Sequence, residues 1–169
     1  MMTLDARPIS SAEWAPFGWL PVADTDPTDG THTLTFEWAD PHLNVISHAY
    51  EEVEHTERGA LCDRMFRHGT HTQALMPLNC DAIVAVAPAA VDFHAPADLD
   101  QIHAFLLHPQ DVFVLHRGTW HWGPFPLTTE PVQLLNVQGL RYAEDNDCVV
   151  LTDALGTAVE VVVDGPPAS

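Results

Sequence analysis

The sequence contains no lysine, and its six basic residues are all arginines, against 24 aspartates and glutamates. Over 169 residues this gives a formal net charge of −18 at pH 7 with histidine neutral. Nucleic acids and anionic membranes are bound through lysine and arginine, so this charge excludes both as partners. A small anionic substrate, the partner we expect, would need arginines or histidines placed locally at its site, because the overall field opposes it.

Cysteine is also scarce, and long apolar runs are missing. Cys62, Cys80 and Cys148 are an odd number without a C-x-x-C pair, which argues against a disulfide framework and a cysteine zinc site. The first residues lack the apolar core of a signal peptide, and no run approaches membrane-spanning length. We therefore expect a cytoplasmic protein. We also expect one domain over residues 1–169, with a frayed tail at 160–169.

Several catalytic motifs are missing as well. The sequence has no glycine-rich phosphate loop, no G-x-S-x-G elbow and no H-E-x-x-H helix. No organic cofactor is expected.

What is present is a series of short apolar runs separated by proline, glycine, asparagine or aspartate. Such runs predict strands, as does the alternation of apolar and polar residues over 33–38. A short helix is predicted after Ser10 or Ser11, and a longer one over 98–108, where Asp98 can cap an apolar face. The sequence thus predicts a mainly β sandwich or barrel with one or two short helices. The runs are 45–50, 72–78, 82–87, 112–116, 132–137, 148–152 and 158–163.

Two segments, 67–77 and 116–124, concentrate histidine and arginine around glycines. A neutral imidazole can ligate a metal or move a proton near neutral pH, and arginine can bind a carboxylate through two hydrogen bonds. Because neighbouring strand residues point to opposite faces, Arg67 and His68 can share a pocket only if the backbone bends, for which Gly69 is suited. The histidines of the two segments are His68, His71, His116 and His121.

We favour a functional role for His68 and His121, whereas His71 and His116 could either touch a ligand or support residues that do. Gln73 interrupts an otherwise apolar run, so if buried it needs a partner, either a ligand or another side chain.

The same segments resemble the ureidoglycolate lyase family. The likeness covers roughly residues 8–150 and is most specific from His68 to Pro124. It implies a cupin-like antiparallel β-barrel, usually a homodimer, that cleaves ureidoglycolate to glyoxylate and urea in allantoin and purine breakdown. The matching residues are Arg67-His68, Thr72-Gln73-Ala74 with Pro77, the run 82–88, and His116-Arg117 with Trp120-His121.

The resemblance also implies roles for these residues. His68, His121 and His116 are the catalytic candidates. A divalent metal such as zinc, manganese, nickel or iron is one option, and acid–base catalysis without a metal is the other. The candidate metal ligands are His68, His71, Gln73 and His121. The candidate substrate-binding residues are Arg67 or Arg117 for the carboxylate, Gln73 and Ser47 for the ureido group, and His48 as a replacement cation.

The sequence departs from the family pattern at three of these positions. Phe66 stands where the family has a glutamate, and Ser47-His48 stands where it commonly has an Asn-Arg pair. These changes leave two alternatives open. One is an enzyme of the same fold acting on another small hydroxy or amino acid, and the other is a small-molecule-binding protein without catalysis.

Overall fold

The computed structural model describes residues 1–21, 36–141 and 143–163. The predicted tail beyond 163 and residues 33–35 of a predicted strand lie outside these ranges. The helices are α1 (Ser11–Trp14) and α2 (Leu151–Leu155), with 3₁₀ segments at Tyr50–Glu52 and Pro96–Gln101. The strands are β1 (Met2–Asp5), β2 (Arg7–Pro8), β3 (Gly18–Trp19), β4 (Pro41–His48), β5 (Gly59–Cys62), β6 (Arg64–Arg67), β7 (Gln73–Pro77), β8 (Ala82–Ala87), β9 (His103–Leu107), β10 (Phe113–Leu115), β11 (Trp120–Pro126), β12 (Val132–Gly139), β13 (Asp147–Val150) and β14 (Val159–Val162).

Two sheets face each other across an apolar core. One has the strand order β3-β10-β7-β12-β4 and the other β13-β6-β11-β8-β9-β2. Leu75 and Leu134 of the five-stranded sheet pack in one cluster with Val84 and Phe105 of the six-stranded sheet. The molecule is therefore mainly β and mostly antiparallel, as predicted, in an arrangement consistent with a cupin-like sandwich.

A third sheet, β1-β14-β5, covers the other side of the six-stranded sheet. Met65 and Trp122, which point out of the sandwich, form a second core with Val159 and Val161 of β14. The six-stranded sheet is thus buried on both faces. Among the described strands no pairing closes these sheets into a barrel, and the layered arrangement is consistent with the cupin-like fold that was predicted.

The strand alternation explains which residues reach the interior. β4 alternates exposed and partly buried residues along its whole length, because one face lies on the core and the other faces outward. β8 is buried at all six positions, because layers cover both of its faces. Its limits are those of the apolar run 82–87 that predicted it.

The predicted helix over 98–108 is wrong. The chain forms a 3₁₀ segment that ends at Gln101, and β9 then pairs with β8 on one side and β2 on the other. Asp98 does cap the segment, accepting hydrogen bonds from the backbone N–H groups of His94 and Ala95 at 2.8 and 3.0 Å. The spacing of the apolar residues fits one face of a helix. A short strand that is buried between two other strands can show the same spacing, so the spacing alone does not distinguish the two.

Both chain ends are tied to the sheets. Ser10 caps α1 as predicted, accepting a hydrogen bond from the backbone N–H of Glu13. The expected fraying from residue 160 is wrong for Glu160–Val162, because β14 lies between β1 and β5. No helix within the described ranges is long and apolar enough to cross a membrane.

Candidate active site

A polar cavity interrupts the core between the two large sheets. It is a narrow pocket, with no free volume large enough for a water molecule, where the turn after β6 meets the ends of β7 and β10 and the start of β11. The sequence placed its residues in two distant segments, and the sandwich brings those segments together. The cavity is lined by His68, His71, Gln73, Leu115, His116, Thr119 and His121.

Three of the histidines form a compact buried group. The rings of His68 and His71 stack with centroids 4.8 Å apart, and the ring of His121 lies 5.2 Å from that of His68. Their exposed fractions are only 8%, 2% and 8%. The structure therefore joins His71 to the two histidines that the sequence favoured.

Hydrogen bonds fix the tautomers of these rings. The Nδ1 of His68 is 2.9 Å from the backbone carbonyl of Asp145, and the Nδ1 of His121 is 3.2 Å from that of Thr119. A carbonyl oxygen only accepts, so each Nδ1 must carry the proton. The Nε2 of each ring is then the nitrogen with the lone pair.

His71 also carries its proton on Nδ1, but for a different reason. Its Nδ1 lies 3.3 Å from the Thr70 hydroxyl and 3.4 Å from the Asp145 carboxylate. The Thr70 hydroxyl already donates to that carboxylate, at 2.5 Å, so the Nδ1 of His71 must be the donor. Its Nε2 lone pair is buried with no hydrogen-bond partner.

Asp145 organises this end of the cavity, and the sequence did not single it out. Its carboxylate accepts hydrogen bonds from the backbone N–H groups of Gly69 and Thr70 at 2.9 and 2.8 Å. Burial raises the pKa of Asp145, but these hydrogen bonds and that of the Thr70 side chain outweigh it, so its pKa lies below the ordinary value. Asp145 stands in a polar, acidic stretch that resembles a solvated loop, and 77 positions separate it from His68.

Burial makes the three imidazoles neutral. Desolvation lowers the pKa of His121 to about 3, and proximity to His68 adds to the effect. Desolvation also lowers the pKa values of His68 and His71, although Asp145 opposes this in both cases. At neutral pH the cavity thus presents imidazoles that can accept a proton or ligate a metal.

Gln73 adds an acceptor to the same cavity. Its side-chain N–H₂ donates to Asn136 at 2.9 Å and to Gln138 at 3.0 Å, both on β12. Its oxygen is buried and has no partner. Gln73 therefore has the side-chain partners expected of a buried amide, yet it keeps its oxygen free for a ligand.

The donor set fits a metal ion. His68, His71 and Asp145 have ligand atoms within 4.8 Å of one another. Neutral imidazoles whose other nitrogen donates to a carbonyl or carboxylate have the arrangement typical of metal ligands. Because the Asp145 carboxylate already receives three hydrogen bonds, we regard it as the group that orients the histidines.

The two candidate arginines lie away from the cavity lining. Arg67 is on the opposite face of β6, with its guanidinium 4.3 Å from the ring of Trp120 and a 3.0 Å ion pair to Asp147. The backbone does not bend enough to bring Arg67 and His68 to one face. Arg117 is largely exposed and lies 3.4 Å from Glu37.

His116 lies at the edge of the cavity, where it is exposed and packs on Trp19 at 5.1 Å. Ser47 and His48 are separated by the strand alternation. Ser47 is on the outer face of β4 and accepts a hydrogen bond from Gln133, so it is not directed to the cavity. His48 is on the inner face, paired with Glu52 at 2.9 Å.

Two glycines are required by this geometry. Gly118 has a φ of +80°, and its N–H donates to the carbonyl of His68 at 2.7 Å, joining the two segments. Gly139 packs directly on His71, where an added Cβ would lie 2.7 Å from the Nδ1 of that ring. A side chain at Gly118 would strain the backbone because of its positive φ, and one at Gly139 would require the His71 ring to move.

The comparison with protein families agrees with this site. The family model described as ureidoglycolate lyase matches residues 1–160, which include every residue of the cavity. A search of curated proteins found no match to the chain. With nearly its whole length matched, the chain belongs to the ureidoglycolate lyase family and is a carbon–nitrogen lyase of that kind.

Proposed function

We propose that this cavity binds ureidoglycolate and releases glyoxylate and urea, as a cytoplasmic step of allantoin and purine breakdown. The observation that carries the proposal is the convergence of three neutral imidazoles and the oxygen of Gln73 on one buried cavity. Ureidoglycolate bears a hydroxyl and a ureido nitrogen on one carbon, so it offers hydrogens to such acceptors. Elimination then needs a base for the hydroxyl and a proton for the leaving nitrogen.

His68 is the better placed base. As its Nε2 takes the hydroxyl proton, the C–O bond becomes a carbonyl and the C–N bond breaks. The leaving nitrogen takes a proton from the His68 imidazolium so formed, or from a water molecule, and departs as urea. His121 is a weaker base because its pKa lies at about 3, far from neutral pH, so its role is to accept a hydrogen bond or hold a metal.

The substrate carboxylate requires a cation, and we favour Arg117 over Arg67 for this role. Arg67 is held by an ion pair to Asp147 and by the ring of Trp120, whereas the ion pair of Arg117 is to Glu37. Arg117 is paired only loosely with Glu37, at 3.4 Å and in solvent, so it can turn toward an anion at little cost.

A divalent metal fits the same residues. His68 and His71 would hold it together with His121 and Gln73 of the same cavity lining, and Asp145, whose carboxylate lies within reach of both His68 and His71, would orient His71. Such an ion polarises a bound hydroxyl and lowers its pKa. Gln73 is a weak neutral ligand, so the three imidazoles would dominate the affinity.

The first test is glyoxylate release from racemic ureidoglycolate, measured with and without a chelator. We expect release that falls by about 10²–10⁴ in His68→Gln, the range typical of a general base. His94→Gln, an exposed histidine outside the cavity, is the matched control and should keep full activity. Release no faster than the spontaneous reaction in the unaltered protein would contradict the proposal, and loss with chelator would show a metal.

One observation favours a second substrate class. Phe66 pairs with His121 across β6 and β11, and it also lines a cleft of about 570 Å³ with Trp122 and Phe125. An aromatic wall next to the histidines suits a hydroxy or amino acid that carries an apolar group. A panel of such acids, each compared with ureidoglycolate by kcat/KM, separates the two candidates.

We also propose that the protein is a homodimer that pairs through the outer face of β4 and β12. Leu43 and Val45 are 65% and 55% exposed there, beside Val137 and Leu135 of β12. No outward-facing residue of either strand is charged. In a chain of net charge −18, two copies can meet only where acidic side chains are absent, and this face meets that condition.

Sedimentation of the full chain at micromolar concentration tests the dimer. We expect a dimer for the unaltered protein and a monomer for Val45→Glu, because the substitution places two like charges in the interface. Val112→Glu, an exposed apolar residue elsewhere, is the control and should remain dimeric. A monomeric unaltered protein, or a dimeric Val45→Glu variant, would refute this interface.

A further inference from the structure

The buried amides beside the cavity form a chain with one direction. Gln73, Asn136 and Gln138 are only 6%, 0% and 4% exposed, in a core that is otherwise apolar. Gln73 donates to Asn136 and Gln138, and Asn136 donates in turn to Asn44 at 2.8 Å. Gln73 and Asn136 thus donate in one direction, away from the cavity, from β7 to β12 and from β12 to β4.

This direction leaves one atom unused. Both N–H hydrogens of Gln73 have acceptors on β12, so its oxygen is turned the other way and is buried without a partner. A flip of the Gln73 amide alone would set its oxygen about 3 Å from two other oxygens, which repel it. Asn136 cannot relieve this by flipping alone, because its own N–H₂ is engaged by Asn44.

A purely structural network would have no reason to leave that oxygen unsatisfied. Buried amide groups are almost always fully hydrogen-bonded, because an unpaired one loses its hydration without compensation. The Nε2 of His71, lining the same cavity, is unpaired too. Two unpaired acceptors on one cavity indicate an electropositive guest.

We propose that Asn136 is a positioning residue that holds the oxygen of Gln73 toward the cavity to receive such a guest. The shared chemistry is a group that amide oxygens bind, either an N–H of the substrate or a divalent cation. The substrate form of this proposal rests on the proposed function. The direction of the hydrogen bonds among the amides is independent of the proposed function.

Kinetics and metal titration test the positioning role. We expect Asn136→Leu to raise the KM for ureidoglycolate or the Kd for Mn²⁺ about tenfold, the loss of roughly one hydrogen bond, with a smaller change in kcat. A change in the KM alone would show that the Gln73 oxygen receives an N–H of the substrate. A change in the Kd for Mn²⁺ would show that it receives a cation. Asn136→Asp, which keeps the acceptor for Gln73, should restore most of the loss. Gln101→Leu, an exposed amide outside the cavity, should change neither constant.

Unchanged constants in Asn136→Leu, or an equal loss in Asn136→Asp, would overturn the proposal. Neutron diffraction from the deuterated protein gives a test that needs no ligand. We expect the deuterons of Gln73 to face Asn136 and Gln138, and deuterons facing the cavity would overturn the proposal. If they lie as expected and the unaltered protein does not cleave ureidoglycolate, the proposed function fails and the amide chain stands.

Discussion

At the scale of single residues, the site depends on where protons are held. His68, His71 and His121 each donate through Nδ1 to an oxygen of the protein, which leaves the Nε2 lone pairs as the reactive atoms. The sequence identified all three histidines, because their density around glycines is unusual. It could not identify Asp145, since that contact joins positions 77 residues apart.

Gly139→Ala tests how closely the cavity wall is fitted. An added methyl group would lie 2.7 Å from both the Nδ1 of His71 and the carbonyl oxygen of Ala39, so the ring must move. We expect turnover of ureidoglycolate to fall at least about tenfold, because small displacements of reacting groups have large kinetic effects. Gly156→Ala, where nothing lies within 4 Å, should lose some stability from its positive φ but keep its activity. Full activity in Gly139→Ala would show that His71 is not required.

At the scale of elements, strand alternation decides which candidates reach the cavity. It places Ser47 on the outer face of β4 and His48 on the inner face, where His48 lines a neighbouring cleft and not this cavity. It also sends Arg67 away from His68. The sequence shows that residues alternate between two faces of a strand. It does not show which face is buried, because a strand can bury either one. The segment 98–108 shows a related ambiguity, since one apolar spacing serves both a helix and a buried strand.

The helix α1 gives an element-scale prediction. Its Trp14 is fully buried, and the indole N–H donates to the carbonyl of Val114 at 2.9 Å. Trp14→Phe should lower the free energy of unfolding by about 1 kcal/mol, because it removes this buried hydrogen bond. Trp19→Phe is the matched control: the indole nitrogen of Trp19 has no hydrogen-bond partner, so its loss should cost less. Equal losses, measured by denaturant unfolding, would show that the hydrogen bond contributes little.

At the scale of the whole molecule, the neutral histidines make stability depend on pH. His121 has a pKa of about 3 in the folded chain and an ordinary value of 6.5, so only the unfolded chain takes up its proton between these values. The contribution of His121 to stability is therefore complete above pH 6.5 and is lost progressively as the pH decreases toward 3.

We expect His121 alone to remove about 2 kcal/mol of the free energy of unfolding between pH 7.5 and pH 5, since each pH unit below 6.5 costs about 1.4 kcal/mol. Denaturant unfolding of His121→Asn measures this directly. Because asparagine does not titrate, the variant should lose less stability than the unaltered protein over the same range. Parallel pH curves for the two proteins would mean that His121 is protonated in the folded state.

The sequence by itself determined the class of the molecule and the location of its chemistry. Its short apolar runs predicted a mainly β chain, and its two histidine segments are those that line the cavity. These features are local, because each can be recognised from the composition of the chain or from the spacing of residues within about ten positions. Only the tertiary structure decided the rest: the layering of the three sheets, the position of Arg67 against Trp120, and the hydrogen bond from Gln73 to Asn136. Those outcomes depend on which strands pair and which face each one buries, and contacts between distant residues settle both.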